Sequence, residues 1–159
     1  MQSGKKKACC FFGYRYLYDN DGNLFELLVK EIERLIKFNE FVFDGYGEFD
    51  VLSYKAVKKL KEKYPDIETV YIQAYYKHED ERMAFLSKQY NAVVYPAIGD
   101  KPKKFAITYR NQAIIDGLDF CVFYVKRNYG GALQATQYAK RKKKASVNLA
   151  ERIIPIKGI

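Results

Sequence analysis

The chain has 159 residues, 48% apolar and 30% charged, with a formal net charge of +9. That length suits one domain and lets roughly 70% of the unfolded surface be buried, so neither disulfides nor a structural metal are needed for folding. The charge is concentrated in two places: without the three lysines at 5–7 and the five cations at 140–144 the remainder carries +1, which argues against a basic face spread over the domain.

No apolar run reaches the roughly 18–20 residues that a membrane-spanning helix requires. The basic stretch at 5–7 is followed by an apolar run that breaks at Gly13, with no small-residue cleavage site, so no secretory signal is expected and the chain reads as cytoplasmic. Cys9, Cys10 and Cys121 are odd in number and sit in apolar runs. Adjacent strand residues such as Cys9 and Cys10 face opposite ways, so the three read as small buried hydrophobes in a reducing compartment.

Residues 8–12 form a short apolar run closed by Gly13, the pattern of a buried first strand. Asn23 and Glu26 have capping-box spacing ahead of a helix whose stripe is Leu24, Leu28, Ile32 and Leu35. Residues 41–43 make a second strand, stopped by Asp44-Gly45. Asp50 then reads as the N-cap of a helix carrying Leu52, Ala56, Val57 and Leu60, which Pro65 ends. Strand three is expected over 69–75, where β-branched and aromatic residues alternate. A charged helix with Met83, Leu86 and Tyr90 precedes strand four at 92–97.

Pro102 is expected to open a helix containing Phe105, Tyr109, Ala113 and Ile114, with Gly117 as its C-terminal cap. Residues 120–125, apolar on both faces, read as an interior strand. After Gly130-Gly131 a helix presents Ala132, Ala135 and Ala139 for close packing, and residues 145–149 form the last strand. The basic run at 140–144 closes that helix, where cations favour the dipole. Five βα units with a closing strand predict one Rossmann-like three-layer α/β domain: a mostly parallel sheet of about six strands with helices on both faces, its core over about 8–149.

Ligands of such sheets gather beyond the carboxyl ends of the strands. Three glycine-bearing turns fall there: Gly13-Tyr14-Arg15, Gly45-Tyr46-Gly47 and Tyr129-Gly130-Gly131. Glycine admits positive φ and lets backbone N–H groups approach an anion, and a following helix adds partial positive charge, so phosphate fits these turns. Arg110-Asn111 lies mid-helix. On pattern alone Arg110 is a solvated helix residue, whereas a functional reading aims its guanidinium at a phosphate. Asp50 could accept ribose hydroxyls instead of capping a helix. Tyr14, Tyr46 and Tyr129, among 15 tyrosines, are placed to stack on a base. The single histidine, His78, lies in a charged segment, and with no cysteine cluster there is no metal constellation.

Taken in order, Cys10-Phe-Phe-Gly13-Tyr-Arg15, Gly45-Tyr-Gly47-Glu-Phe-Asp50, Phe105-Ala-Ile-Thr-Tyr-Arg110-Asn111 and Tyr129-Gly130-Gly131-Ala132 make a set that resembles the SLOG superfamily (SMF/DprA/LOG), in particular its small stand-alone bacterial and phage-borne members. The resemblance implies a Rossmann-like domain that binds a nucleotide or a nucleotide-derived molecule, and a homodimer. The LOG branch cleaves nucleoside monophosphates with an Arg-Lys pair and glutamates behind the glycine loop. Here Asn111 replaces the lysine, and Gln134 stands in a segment, 130–136, without acidic residues. Cleavage through an oxocarbenium-like centre needs a carboxylate, so the departure favours binding or sensing over catalysis.

Three readings follow. The first is a module that binds a small phosphate-bearing nucleotide ligand and needs no further cofactor, with Gly13, Tyr14, Arg15, Gly45, Gly47, Asp50, Arg110, Asn111, Tyr129, Gly130, Gly131 and Gln134 as its binding residues. The second is a LOG-like N-glycosidase in which Glu48 or Asp50 replaces the missing carboxylates. The third is DprA-like binding of single-stranded nucleic acid, supported by the two basic clusters and the tyrosines.

Overall fold

Successive residues of a strand face opposite sides of its sheet, so an uninterrupted apolar strand needs cover on both faces. The computed structural model describes residues 7–14, 17, 23–44, 47–73, 80–94, 105–126 and 130–151, with side chains of the third helix from residue 84 onward. Strands β1 (Ala8–Gly13), β2 (Glu40–Phe43), β3 (Glu68–Ile72), β4 (Ala92–Val94), β5 (Phe120–Tyr124) and β6 (Ala145–Asn148) alternate with helices α1 (Leu24–Arg34), α2 (Gly47–Lys61), α3 (Asp80–Gln89), α4 (Ala106–Gly117) and α5 (Gly131–Arg141). A 3-10 turn, Leu149–Glu151, follows β6.

All strand pairs are parallel, in the order β4-β3-β2-β1-β5-β6. Cys9, Phe11, Phe41, Phe43, Tyr71, Val122 and Tyr124 pack with α1, α2 and α3 on one face. Cys10, Phe12, Val42, Val70, Cys121 and Phe123 pack with α4 and α5 on the other. This is the expected Rossmann-like three-layer arrangement. The stripe Leu24, Leu28, Ile32 and Leu35 is buried as its spacing predicts, and each such side chain contributes roughly 1.5–3 kcal/mol by leaving water.

Several local expectations change. Asn23 precedes α1, but its side chain makes no capping bond, so the capping box with Glu26 is not formed. Helix α2 begins at Gly47, which places Asp50 inside its first turn and not at the N-cap. Gly117 is the last residue of α4, and extended Leu118 ends the helix without a left-handed glycine. The buried face of α4 carries Ala106, Arg110, Ile114 and Ile115, whereas Phe105 is exposed and Tyr109 half-buried. A charge, Arg110, occupies the middle of that face. Pro102, Met83 and the far ends of the strands expected at 69–75 and 92–97 lie outside the described residues or side chains.

Gly13 ends β1 where α2 crosses it. A Cβ there would lie 2.3 Å from the Phe49 ring and 2.7 Å from Phe49 Cβ. Phe49 is itself buried and stacked on Tyr124 at 5.6 Å, so it cannot swing aside. Gly13→Ala is therefore expected to cost about 1–3 kcal/mol through overpacking, read as a lower denaturant midpoint with an unchanged slope.

Cys10 and Cys121 are register neighbours on β1 and β5, with sulfurs 3.3 Å apart. Burial pushes the Cys9 and Cys10 thiols well above the usual range, and for Cys10 the hydrogen bond with Cys121 adds to it. All three thiols are buried, so they should react with a disulfide reagent only as fast as the protein unfolds. Reaction in the folded state before any loss of structure would contradict this packing.

Candidate functional site

The strand order reverses between β1 and β5. The connection from β1 leads toward β2 and that from β5 toward β6, so the loops diverge at their carboxyl ends and open the crevice used by ligands of this fold class. Tyr14 stands over this point. Its ring meets Tyr124 edge-on at 5.7 Å, its hydroxyl accepts the Lys126 N–H, and its carbonyl accepts the Phe49 N–H at 3.3 Å. Tyr14 thus ties the ends of β1, β5 and α2 together, and the first backbone donors of α2 are partly spent inside the protein.

Two helix starts at this edge differ in charge. Gly47 opens α2 with φ 87°, but Glu48 and Asp50 lie in the first turn and place negative charge at the positive end of the dipole. Glu48 accepts the Leu17 N–H at 3.0 Å. At α5, Gly130 is the N-cap with φ 104° and ψ 173°, no side chain caps the helix, and no acidic residue occupies the first turn. Gly130 and Gly131 are both exposed, and a Cβ on either would meet nothing within 4 Å. An anion is repelled at the first start and favoured at the second.

Arg110 corrects the reading of a solvated helix residue: it is 1% exposed. Its Nη2 donates to Asp44 Oδ2 at 3.0 Å, and its Nε and Nη2 both donate to Asn111 Oδ1, at 3.3 and 2.9 Å. Asp44, the first residue beyond β2, donates its backbone N–H to Asp50 Oδ1 at 3.1 Å. Asp50 is buried too. Arg110 from one helical layer and Asp50 from the other thus meet at Asp44, a network joining both layers to the carboxyl end of β2. Tyr90 packs beside it. Its hydroxyl is held well above the usual range by burial first, then by Asp50, Tyr54 and Tyr71.

Asn111, Gly131 and Gln134 are brought together elsewhere. They line a groove of about 270 Å³ between α4 and α5, with Thr108, Gln112 and Tyr138 among its other walls. Both helices start at the carboxyl edge, so the groove leads away from that edge at Gly131 and reaches Arg141 at its far end. The predicted set therefore separates into the β1–α2 junction (Gly13, Tyr14, Gly47), the buried network (Asp50, Arg110) and the groove with the glycine pair (Asn111, Gly130, Gly131, Gln134). Arg15, Gly45, Tyr46, Tyr129 and His78 lie outside the described residues. Sequence reasoning treated Asp44 only as a strand stop; its partner Arg110 lies 66 positions away, so no local signal marked its role.

No family model and no curated protein matches the chain. Among solved structures, the chain is similar to DNA processing protein A (DprA) from Streptococcus pneumoniae, with 13% identity and a TM-score of 0.63 over 89% of this chain and 49% of that one. It is also similar to DprA from Helicobacter pylori, a structure described for its single-stranded DNA binding mode, with 14% identity and a TM-score of 0.60 over 88% of this chain and 63% of that one. The fold is shared with DprA. The chain spans about half the length of the first and under two thirds of the second. At these identities the likeness shows a shared Rossmann-like fold and nothing finer.

The basic run at 140–144 sits at the end of α5 opposite its glycines, and part of it is structural. Lys144 Nζ donates to the carbonyls of Asp116 and Leu118 at 3.1 and 2.9 Å, closing the end of α4. Lys140, Arg141, Lys142 and Lys143 are exposed. Among the described residues no helix is long and apolar enough to cross a membrane, and no group of three His, Cys, Asp or Glu side chains could hold a metal ion.

Proposed function

We propose that this protein binds a nucleotide phosphate at the N-terminus of α5, beside the β1–β5 crevice. The carrying observation is that helix start: an open Gly130-Gly131 pair, no side-chain cap and no acidic residue in the first turn. Those backbone donors offer a phosphate both hydrogen bonds and the positive end of the dipole.

The phosphate can come from a free nucleotide or from a nucleotide within a single strand. Likeness to DprA supports the strand, which stood third on sequence grounds, ahead of the free nucleotide. The exposed cations at the far end of α5 support it as well, since a strand leaving the glycines along the groove would reach them. The N-glycosidase reading gains nothing comparable. Asp50, one of its two substitute carboxylates, is buried against Asp44, and Gln134 is a neutral amide one turn into α5.

Titrations of a nucleoside monophosphate and of a short single-stranded oligonucleotide, each over a range of salt concentrations, separate the two sources. For a strand the log of affinity falls with log salt at about −0.7 per phosphate neutralised, so several contacts give a steep slope. A single nucleotide gives a shallow one. Absence of binding by both ligands at low salt would overturn the proposal.

A further inference from the structure

We infer that the groove between α4 and α5 is a nucleobase subsite, with the amide of Asn111 as a fixed hydrogen-bond donor. The inference rests on the phosphate reading above and deepens it. The groove's walls are mostly neutral: Thr108, Asn111 and Gln112 from α4 face Gln134, Gln137 and Tyr138 from α5, with Arg141 at the far end. Among the described residues, the side-chain amides of Gln112, Gln134 and Gln137 make no hydrogen bond, so both donors and acceptors are presented to whatever enters. Side-chain amides are the groups that pair with base edges, which likewise alternate donors and acceptors. Ile107, Ile115 and Ala135 supply apolar surface for the flat face of a ring. A volume of about 270 Å³ lies just below the roughly 300 Å³ where pockets for drug-sized molecules begin, so the groove suits one heterocycle.

Asn111 gives this surface a direction. A guanidinium has only donors, and Arg110 directs two of them at Asn111 Oδ1. The oxygen of Asn111 is therefore fixed toward Arg110, and its NH2 is the end left for a ligand. The base it favours presents an acceptor, a ring nitrogen or a carbonyl, at that point. Arg110 acts here as a positioning residue, held in turn by Asp44. Gly131 both starts α5 and lines the groove, and Gln134 lies one turn along, about 5 Å by helix geometry. A ribose spans the step from a phosphate on the helix start to a base in the groove.

The test compares nucleoside 5′-monophosphates with ribose 5-phosphate by calorimetric titration on the wild-type chain, on Asn111→Asp and on Gln134→Met. Asn111→Asp still accepts from Arg110 but offers no donor. Its added charge weakens both ligands alike, so the quantity read is the ratio of the two affinities. At least one nucleotide should bind about tenfold more tightly than ribose 5-phosphate, and Asn111→Asp should reduce that ratio severalfold. Unlabelled nucleosides without phosphate should shift backbone amide resonances within 107–115 and 131–141 of the isotope-labelled protein. A ratio near one in the wild-type chain, or one unaffected by both variants, overturns the base subsite while leaving the phosphate site standing. Amide shifts with nucleosides but no binding of ribose 5-phosphate would do the reverse.

Discussion

Arg110→Ala should be the most destabilising single substitution at the carboxyl edge, costing about 3–5 kcal/mol. The guanidinium is 1% exposed and Asp44 is its ion-pair partner at 3.0 Å, so removal leaves a nearly buried carboxylate beside a second one on Asp50. Asn111 loses both donors to its Oδ1 at the same time. For a chain of this size each kcal/mol lowers the melting temperature by about 2–4 °C, so a fall of roughly 6–20 °C is expected in thermal unfolding. A fall under 2 °C would show that the network contributes little.

The form of the loss matters as much as its size. Arg110→Lys keeps the charge but not the planar fork that serves Asp44 and Asn111 together, so it should recover only a small part of the stability. Arg110→Met combined with Asp44→Leu removes the pair together and should be more stable than Arg110→Met alone, because the Asp44 carboxylate is no longer left buried without its partner. These effects reach the nucleotide question. A loss of binding in Arg110→Ala reports a disturbed edge and a released Asn111, and would not identify a phosphate contact.

The buried ionic network also marks where sequence reading reached its limit. Apolar spacing located the buried elements, because burial on one or both faces leaves a periodic trace: Leu24, Leu28 and Ile32 on α1 and the apolar residues of β1 and β5 are legible without coordinates. Helix α4 broke the rule. Its core face holds an arginine, and the aromatic residues that mark the helix in the sequence, Phe105 and Tyr109, lie on other sides. What licensed Arg110 there is Asp44, 66 positions earlier in the chain, and no local window contains both. The caps failed for a related reason. Asn23 and Asp50 have the right chemistry for an N-cap, but Asp50 is used on the Asp44 N–H and Asn23 makes no capping bond. The glycine turns were visible as motifs, yet their roles separate only in three dimensions: Gly13 yields space to Phe49, whereas Gly130 and Gly131 face open space.

That last contrast yields a substitution whose effects on stability and on binding have opposite signs. Gly131→Glu introduces a side chain where a Cβ meets no neighbour, into a helix whose first turn has no acidic residue. Replacing a glycine at the first helical position removes at most about 0.5–1 kcal/mol, the penalty of a helix interior, and a carboxylate in the first turn adds about 0.3–1 kcal/mol with the dipole. The variant should therefore melt at the same temperature as the wild-type chain or a few degrees higher. The same carboxylate occupies the position an incoming phosphate needs and repels it, so nucleotide affinity should fall tenfold or more. Gly131→Ala separates the two contributions, keeping the gain in helix stability while adding no charge. Gly130→Ala, one position earlier, behaves differently. With φ 104° and ψ 173° it lies in a region essentially restricted to glycine, and substitution should cost about 1–3 kcal/mol of stability although the space around it is open. If Gly131→Glu folds well and binds nucleotide as tightly as the wild-type chain, the phosphate does not sit on α5. Loss of binding in that stable variant, with binding kept in Gly131→Ala, would place it there, because the carboxylate side chain and not the loss of glycine then accounts for the effect.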